Sequence, residues 1–200
     1  MYKTVVFDLD GTLLNTLTDL ADAGNRLCRK YGWPTHERQA YRYFVGNGIP
    51  KLVERLAPAD QRTPAVLEAA LADFKRDYGQ HLRDTTAPYP GIPEMLAKLK
   101  ANGVQLAVFS NKADALAKEV VKDYFGTQYF TIVRGQMTGV APKPAAEGTN
   151  ALLQALHADP ASTLYVGDSN VDVETAHNAN LPCCGAVWGF RTREELNAAG

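Results

Sequence analysis

The chain has few cysteines, no long apolar run and almost no excess of either charge. Its three cysteines, Cys28, Cys183 and Cys184, show neither CxxC nor zinc-ligand spacing, which excludes a disulfide framework and a zinc site of the usual kind. We therefore expect reduced, buried thiols that belong to the core. The formal net charge is −1, and positive and negative residues are well mixed along the chain. The sequence therefore predicts no positive electrostatic field that would attract nucleic acid or an anionic membrane surface.

The apolar runs are shorter than a membrane span, and the chain starts directly with a short strand pattern instead of a signal peptide. These features predict a cytoplasmic protein without a membrane or nucleic-acid partner. A length of 200 residues suffices for one domain with a substantial core, or for a domain that carries a smaller inserted one.

Short apolar runs alternate with helical patterns along most of the chain. The helical spacing is clearest in Ile92, Met95, Leu96 and Leu99, which follow the i, i+3, i+4, i+7 rule. Runs rich in Val, Leu and Phe predict strands within residues 4–8, 105–110, 130–134, 164–168 and 183–187. Buried strands separated by helices predict an α/β fold with a doubly wound parallel sheet, whose ligands bind beyond the carboxyl ends of the strands.

One long segment contains helical patterns and no convincing strand. Pro34, Gly46-Asn47-Gly48 and Pro58 interrupt it and separate predicted helices near residues 19–31, 36–44, 50–56 and 63–82. The simplest interpretation is a small all-helical domain, residues 17–85, inserted into a core domain formed by residues 1–16 and 86–200. Its joins would lie near residues 14–18 and 85–90, and the second of them is turn-rich and suits a hinge between domains.

Two aspartates, Asp8 and Asp10, follow the first predicted strand and precede Gly11 and Thr12. Side chains at i and i+2 of an extended backbone point the same way, so both carboxylates address one small volume. Like charges so close repel unless a cation, a proton or a division of roles separates them. The pair therefore suits a nucleophile with an acid, or a metal site, although an ordinary Asp-Gly turn has the same sequence.

Three further polar motifs follow predicted strands or lie between them. They are Ser110-Asn111-Lys112, Pro142-Lys143-Pro144 and Gly167-Asp168-Ser169-Asn170-Val171-Asp172. The first offers a hydroxyl and backbone N–H groups before a helix, as a phosphate cradle does. Taken singly, each motif also fits a helix cap, a solvated loop lysine or a turn.

In this order, the four motifs resemble those of the haloacid dehalogenase superfamily of phosphatases, in its phosphoglycolate phosphatase-like branch with a helical cap of the C1 type. Phe44-Val45-Gly46-Asn47-Gly48 resembles the cap loop of that branch, and Trp188-Gly189-Phe190-Arg191 resembles its late loop. Members usually continue beyond the helix expected at Arg193 into another strand and helix, whereas this chain stops at Gly200.

The resemblance implies a Mg²⁺-dependent phosphate monoester hydrolase that acts on a small metabolite such as 2-phosphoglycolate through an aspartyl-phosphate. Its metal ligands would be Asp8, the backbone carbonyl of Asp10, and Asp168, with Asp172 orienting ligand waters or Lys143. A hard cation with oxygen ligands would also neutralise a site in which four aspartates meet an anionic ester.

The resemblance further implies the catalytic roles. Asp8 would attack phosphorus, Asp10 would protonate the leaving oxygen and then activate water, Ser110 would hold a phosphate oxygen, and Lys143 would balance the developing charge. The substrate-binding residues would be Asn111, Thr12, Gly46 and Lys51. In the cap, Lys51 and Arg55 lie one helical turn apart, so both could bind a substrate carboxylate, or they could simply form a solvated face.

Alternatives of other kinds stay open on the sequence. An acid at Asp10 favours C–O–P hydrolysis over dehalogenation, but a sugar phosphomutase uses the same pair of acids. A phosphoryl-accepting receiver domain also combines aspartates, Mg²⁺, a hydroxyl and a lysine, without a helical insertion. A binding protein on the same fold is disfavoured because every catalytic position is filled. We expect a monomer or a homodimer whose partner is a small phosphorylated metabolite.

Overall fold

The computed structural model describes residues 1–200 and confirms the predicted α/β fold. Its strands are β1 (Thr4–Phe7), β2 (Leu14–Asn15), β3 (Ala87–Pro88), β4 (Gln105–Ala113), β5 (Phe130–Gln136), β6 (Thr163–Gly167) and β7 (Cys183–Gly185). Five of them form a sheet in the order β5-β4-β1-β6-β7, in which every neighbouring pair is parallel. Strands β2 and β3 form a separate two-stranded sheet.

Nine α-helices accompany the strands. They are α1 (Leu17–Tyr31), α2 (Arg38–Phe44), α3 (Ile49–Leu56), α4 (Pro64–His81), α5 (Ile92–Ala101), α6 (Asp114–Phe125), α7 (Ala146–Leu156), α8 (Asn170–Asn178) and α9 (Arg193–Ala199). The chain divides into two compact units, one formed by Met1–Asn15 with Pro88–Gly200 and the other by Thr16–Ala87. The second unit contains helices α1 to α4, and we call it the helical unit.

Strand β1 lies at the centre of the sheet, and all four of its residues are buried. Its last residue, Phe7, pairs with Val108 of β4 on one side and with Val166 of β6 on the other. The three paired positions therefore lie at the same level of the sheet, close to the carboxyl ends of β1 and β6. Because Asp8, Ser110 and Asp168 come one or two residues after these paired positions, the register itself brings the predicted site residues together.

One buried carboxylate joins the two ends of the helical unit. Asp19, in the first turn of α1, is 2% exposed. Its Oδ1 accepts hydrogen bonds from the backbone N–H and hydroxyl of Thr85, and its Oδ2 accepts them from the backbone N–H and hydroxyl of Thr86. Hydrogen bonds to an ionised acceptor are among the stronger ones, so the first helix and the last residues of this unit are held side by side.

The prediction that all three cysteines are buried is wrong. Cys28 is buried in α1, but Cys183 is half-buried and Cys184 is exposed. The reason is topological, because β7 is an edge strand with only β6 as its neighbour. None of the helices is both long and apolar enough to cross a bilayer.

Candidate active site

Three acids converge at the carboxyl ends of β1 and β6. Asp8, Asp168 and Asp172 each place a carboxylate oxygen within 4.8 Å of the other two. Burial, followed by repulsion from Asp172, raises the pKa of Asp8 from 3.8 to about 7. Burial, followed by repulsion from Asp172 and Asp8, also raises the pKa of Asp168 well above its ordinary value. The cluster therefore holds more negative charge than its protein surroundings stabilise.

Lys143 is the cation at the centre of this cluster. Its side chain is 2% exposed, and its Nζ lies 2.8 Å from Asp8 Oδ1 and 2.8 Å from Asp172 Oδ1. Nζ also donates to the Tyr165 hydroxyl at 3.2 Å. Burial lowers the pKa of Lys143, but the attraction of Asp172 and Asp8 outweighs burial and holds that pKa well above 10.5. Lys143 is thus a permanent ammonium group between two acids.

Asn111 holds the backbone at Lys143 in place. Its side-chain Oδ1 accepts from the Lys143 backbone N–H at 2.9 Å, and its Nδ2 donates to the Lys143 carbonyl at 3.2 Å. Both bonds are buried, and breaking such a pair leaves two polar groups without compensation. The side chain of Asn111 therefore positions the lysine, and a contact between its backbone N–H and substrate stays a prediction.

Asp168 is oriented by two donors from different loops. The Thr12 hydroxyl donates to its Oδ1 at 2.8 Å, and the backbone N–H of Phe190 donates to its Oδ2 at 2.7 Å. Thr12 was expected to bind substrate, and in the structure its hydroxyl fixes this carboxylate. Because each oxygen has a defined donor, the plane of the carboxylate is set before any ligand arrives.

Asp172 has both of its oxygens occupied by protein donors. Oδ1 binds Lys143, and Oδ2 accepts from the backbone N–H of Ser169 at 3.1 Å and from its hydroxyl at 2.6 Å. These bonds form the capping box at the start of α8. The residue is fully buried. Its contacts suit a role in holding Lys143 and the helix start rather than in binding a ligand.

The donor set fits a hard divalent cation. The three acids of the cluster offer carboxylate oxygens, which are ligands that Mg²⁺ prefers. A bound cation would also offset the burial and the repulsion that raise the pKa of Asp8 and of Asp168. Asp172 has Lys143 on one oxygen and two donors on the other, whereas Asp8 contacts Lys143 through one oxygen and each oxygen of Asp168 accepts one hydrogen bond. Asp8 and Asp168 are therefore the candidate ligands.

Asp10 lies apart from the three clustered acids and is paired with Lys112. Lys112 Nζ lies 3.0 Å from Asp10 Oδ1 and 3.2 Å from Oδ2. The lysine side chain is 2% exposed and the aspartate side chain 15%. The two aspartates of the first motif therefore have different cationic partners, Lys143 for Asp8 and Lys112 for Asp10.

Two glycines permit the close approach of the loops around Asp168. A Cβ on Gly11 would lie 2.3 Å from Asp168 Oδ2, and Gly11 has a φ of +92°. A Cβ on Gly189 would lie 2.2 Å from Asp168 Cβ and 2.4 Å from the Gly11 carbonyl oxygen. Both contacts are shorter than nonbonded atoms tolerate. Next to Gly189, the Trp188 indole N–H donates to the Thr12 carbonyl at 3.0 Å and joins the late loop to the first motif.

The predicted cap residues lie in the helical unit. Gly46, with a φ of +117°, belongs to the loop between α2 and α3. Lys51 is exposed and forms an ion pair with Glu54 at 2.7 Å. Arg55 donates to the carbonyls of Tyr43 and Phe44 and to the Asn47 side chain, so it stabilises the loop. Substrate contacts of Gly46 and Lys51 stay predictions.

The sequence analysis missed three contributors to the site. Lys112 was noted only as part of a motif, Tyr165 was assigned to a strand, and the Phe190 N–H had no assigned role. One signal was available: Tyr165 is a polar-tipped side chain in a buried strand next to an acidic motif. Lys112 lies beyond the predicted strand, so strand alternation does not place its side chain. The backbone donor at Phe190 has no signal of its own in a single sequence.

The raised pKa of Asp8 predicts how the stability of the metal-free protein depends on pH. An acid whose folded-state pKa exceeds its unfolded value contributes stability that is complete below about pH 4 and is lost as the pH rises through about 7. We expect the Tm in EDTA to fall by roughly 5 °C more between pH 5 and pH 8 than the Tm of Asp8→Asn does. An equal change in Tm between pH 5 and pH 8 for the two proteins would contradict the expectation.

Comparison with known proteins agrees with this geometry. The sequence model of the haloacid dehalogenase-like hydrolases matches residues 5–186. The chain is 31% identical over 191 residues to a phosphoglycolate phosphatase of Thiobacillus denitrificans, with 94% of this chain and 84% of that protein covered. It is 32% identical over 203 residues to a phosphoglycolate phosphatase of Pseudomonas putida, with coverages of 98% and 73%.

Solved structures show the same fold. A crystal structure from Lactobacillus delbrueckii subsp. bulgaricus, assigned as a phosphoglycolate phosphatase, superposes with a TM-score of 0.93 at 29% identity. The match covers 100% of this chain and 92% of that one. A haloacid dehalogenase-like hydrolase from Bacteroides fragilis has a TM-score of 0.92 at 22% identity, with coverages of 99% and 93%.

Proposed function

Because the chain belongs to the haloacid dehalogenase-like hydrolase family and is a phosphatase, we propose that it hydrolyses small phosphate monoesters with Mg²⁺ through an aspartyl-phosphate on Asp8. The observation that carries this proposal is the setting of Asp8, which lies in the acidic cluster with Lys143 on one oxygen. Of the three clustered acids, Asp8 is the most exposed, at 8% against 1% for Asp168 and 0% for Asp172. It is therefore the carboxylate best placed to meet a substrate.

The proposed metal ligands are Asp8, Asp168 and the backbone carbonyl of Asp10. When bound there, Mg²⁺ supplies a positive charge that offsets the repulsion between the carboxylates and the anionic ester. Lys143 contributes a second charge at Asp8, and because Asp172 and Asn111 fix it, no reorganisation is needed as charge develops. This arrangement supports attack by one anion on another.

In the first step of the proposed reaction, an oxygen of Asp8 bonds to phosphorus while the bond from phosphorus to the ester oxygen breaks. Asp10 gives its proton to the departing oxygen, which leaves as an alcohol. In the second step, Asp10 accepts a proton from water as the water oxygen bonds to phosphorus. The bond between phosphorus and Asp8 then breaks, and inorganic phosphate leaves.

The phosphoryl group needs donors for its remaining oxygens. We assign these to the Ser110 hydroxyl, the Asn111 backbone N–H and the backbone around Thr12. Ser110 is buried in the second half of β4, where its Oγ accepts from the Lys112 backbone N–H at 3.2 Å. This leaves the Ser110 hydroxyl hydrogen available to donate to a phosphate oxygen.

The substrate class that we propose is a small anionic ester of the 2-phosphoglycolate type, as the names of the curated relatives suggest. The helical unit is proposed to select it. Lys51 is the candidate partner for the substrate carboxylate, since it is exposed and its charge is matched only by an exposed glutamate. Surface pairs of this kind are weak enough to exchange for a ligand.

Replacing Lys51 by Ala should raise the KM for 2-phosphoglycolate by roughly tenfold, because a charge-assisted hydrogen bond is lost, while the KM for glycerol phosphate should stay nearly constant. Steady-state kinetics with both esters measure the difference. The control is Lys75→Ala, which removes an exposed charge on α4 of the same unit. Equal effects of Lys51→Ala on the two esters would instead assign Lys51 to a solvated helix face.

The experiment that tests the proposed function is a hydrolysis screen with Mg²⁺. The panel contains p-nitrophenyl phosphate, 2-phosphoglycolate and alkyl phosphates whose alkyl group carries no charge, and released phosphate is measured. We expect turnover of p-nitrophenyl phosphate and the highest kcat/KM for 2-phosphoglycolate. No hydrolysis of any ester would overturn the proposal, and a preference for sugar monophosphates that depends on added bisphosphate would favour a phosphomutase.

A further inference from the structure

Lys112 is a buried cation that the proposed reaction leaves without a role. Its whole residue is 5% exposed, and its side chain 2%. Removing an ammonium group from water costs several kcal/mol unless a paired charge compensates. The acidic partner is Asp10, both of whose carboxylate oxygens lie within hydrogen-bond distance of Nζ.

The position of Lys112 in the fold explains how the pair forms. Lys112 is the penultimate residue of β4 and comes four residues after Val108, in a part of the strand whose pairing with β5 is irregular. Strand β4 is the direct neighbour of β1, and the two run parallel with Phe7 opposite Val108. The lysine therefore extends from the end of one strand to the loop that follows the next.

We propose that Lys112 is a positioning residue for Asp10: it fixes the carboxyl group, which gives its proton to the leaving oxygen and afterwards takes one from water. This inference rests on the proposed function. With Nζ 3.0 Å from one oxygen and 3.2 Å from the other, the ammonium group restrains rotation of the carboxylate about its Cβ–Cγ bond. Because the lysine is shielded from water, this restraint is stronger than that of a surface ion pair.

The two buried lysines thus act on different bonds of the reaction. Lys143 contacts Asp8, which forms the bond to phosphorus, whereas Lys112 contacts Asp10, which transfers the proton. In the first step, the proton moves from the Asp10 carboxyl to the ester oxygen as the bond between phosphorus and oxygen breaks. Lys112 exchanges no proton or bond in this step and contributes only the orientation of Asp10.

The dependence of kcat/KM on the leaving group separates this role from a structural one. The departing p-nitrophenolate is stable without a proton, whereas an alkoxide requires one. For Lys112→Met, we expect kcat/KM for an alkyl phosphate to fall by roughly 100-fold, but by only about threefold for p-nitrophenyl phosphate. The alkyl ester used is the one that the wild-type protein hydrolyses fastest. Lys112→Arg, which keeps the charge, should recover most of the alkyl ester activity.

The matched control is Lys118→Met, which removes an exposed lysine that is paired with Asp114 at the start of α6. This variant should leave kcat/KM unchanged for both esters. Thermal melting checks that each variant is folded at the assay temperature. Should Lys112→Met melt below that temperature, both esters are assayed with every variant at a lower temperature at which Lys112→Met is folded.

A second readout uses Asp10 itself. In an Asp10→Asn background, Lys112→Met should cause no further loss on the alkyl ester, because the group that it positions is already gone. Equal losses on both esters, or additive losses in the double variant, would overturn the inference. If the wild-type protein hydrolyses neither ester, the proposed function fails instead, so the two failures are distinguishable.

Discussion

Asp8→Asn is expected to lower kcat for phosphate ester hydrolysis by roughly 10⁴-fold or more, because an amide cannot form the bond to phosphorus that the proposed reaction requires. Replacing a carboxylate by an amide of the same shape leaves the packing around β1 unchanged. It also removes one of three like charges that lie within 4.8 Å of one another. The variant should therefore be folded and should melt no lower than the wild-type protein at pH 7.5.

The measurement is the rate of p-nitrophenol release with saturating Mg²⁺, together with thermal melting. Asp60→Asn, an exposed acid of the helical unit, is the control and should keep full activity. Acid quench of a single turnover with radiolabelled ester should leave label on wild-type protein and none on Asp8→Asn. Near-normal turnover in the variant, or the absence of any trapped label in the wild type, would contradict the assignment of Asp8 as nucleophile.

Removal of divalent metal is expected to reduce activity by at least about 100-fold, and Mg²⁺ should restore it. The reason is the surplus of negative charge, since Lys143 is the one cation in contact with Asp8 and Asp172 and the substrate adds further charge. The protein is dialysed against EDTA and then titrated with Mg²⁺ in the hydrolysis assay.

A readout that does not depend on activity accompanies this titration. Mg²⁺ that binds the folded state alone should raise the Tm with increasing concentration. Asp168→Asn should weaken this rise strongly, because it removes a proposed ligand whose two oxygens are preset by Thr12 and Phe190. Chelator-resistant turnover, or a Tm that Mg²⁺ leaves unchanged in the wild-type protein, would count against the metal site.

The sequence predicted the parts of the molecule that follow from periodicity and local chemistry. Alternating apolar runs and helical spacings predicted the parallel sheet, because a buried parallel strand needs continuous apolar character on both faces. The position of the acids was also predictable, since polar residues directly after buried parallel strands must lie at the carboxyl ends of those strands. Asp8 and Asp168 are examples, and the pairing of Phe7 with Val166 brings them together.

Other contacts depend on partners that no local pattern encodes. The Asn111 side chain binds the backbone at Lys143, 32 residues away, which no local pattern indicates, whereas the contact expected of its backbone N–H with a phosphate oxygen stays a prediction. Arg55 was considered for a substrate carboxylate, but the carbonyls of its own loop occupy its guanidinium. Each of these side chains has several possible hydrogen-bond partners, and only the three-dimensional register decides among them. The exposure of Cys184 likewise follows from strand order, which its apolar neighbours do not reveal.

The hydrogen bonds of Asp19 have a consequence for how such a protein diversifies. Since that carboxylate binds both Thr85 and Thr86, the first and last residues of the helical unit lie side by side. A foreign insert with similarly spaced ends would leave the catalytic strands and their register unchanged. The selectivity that we propose for this unit could thus be exchanged by replacing the unit, while the chemistry that we propose at Asp8 would be kept.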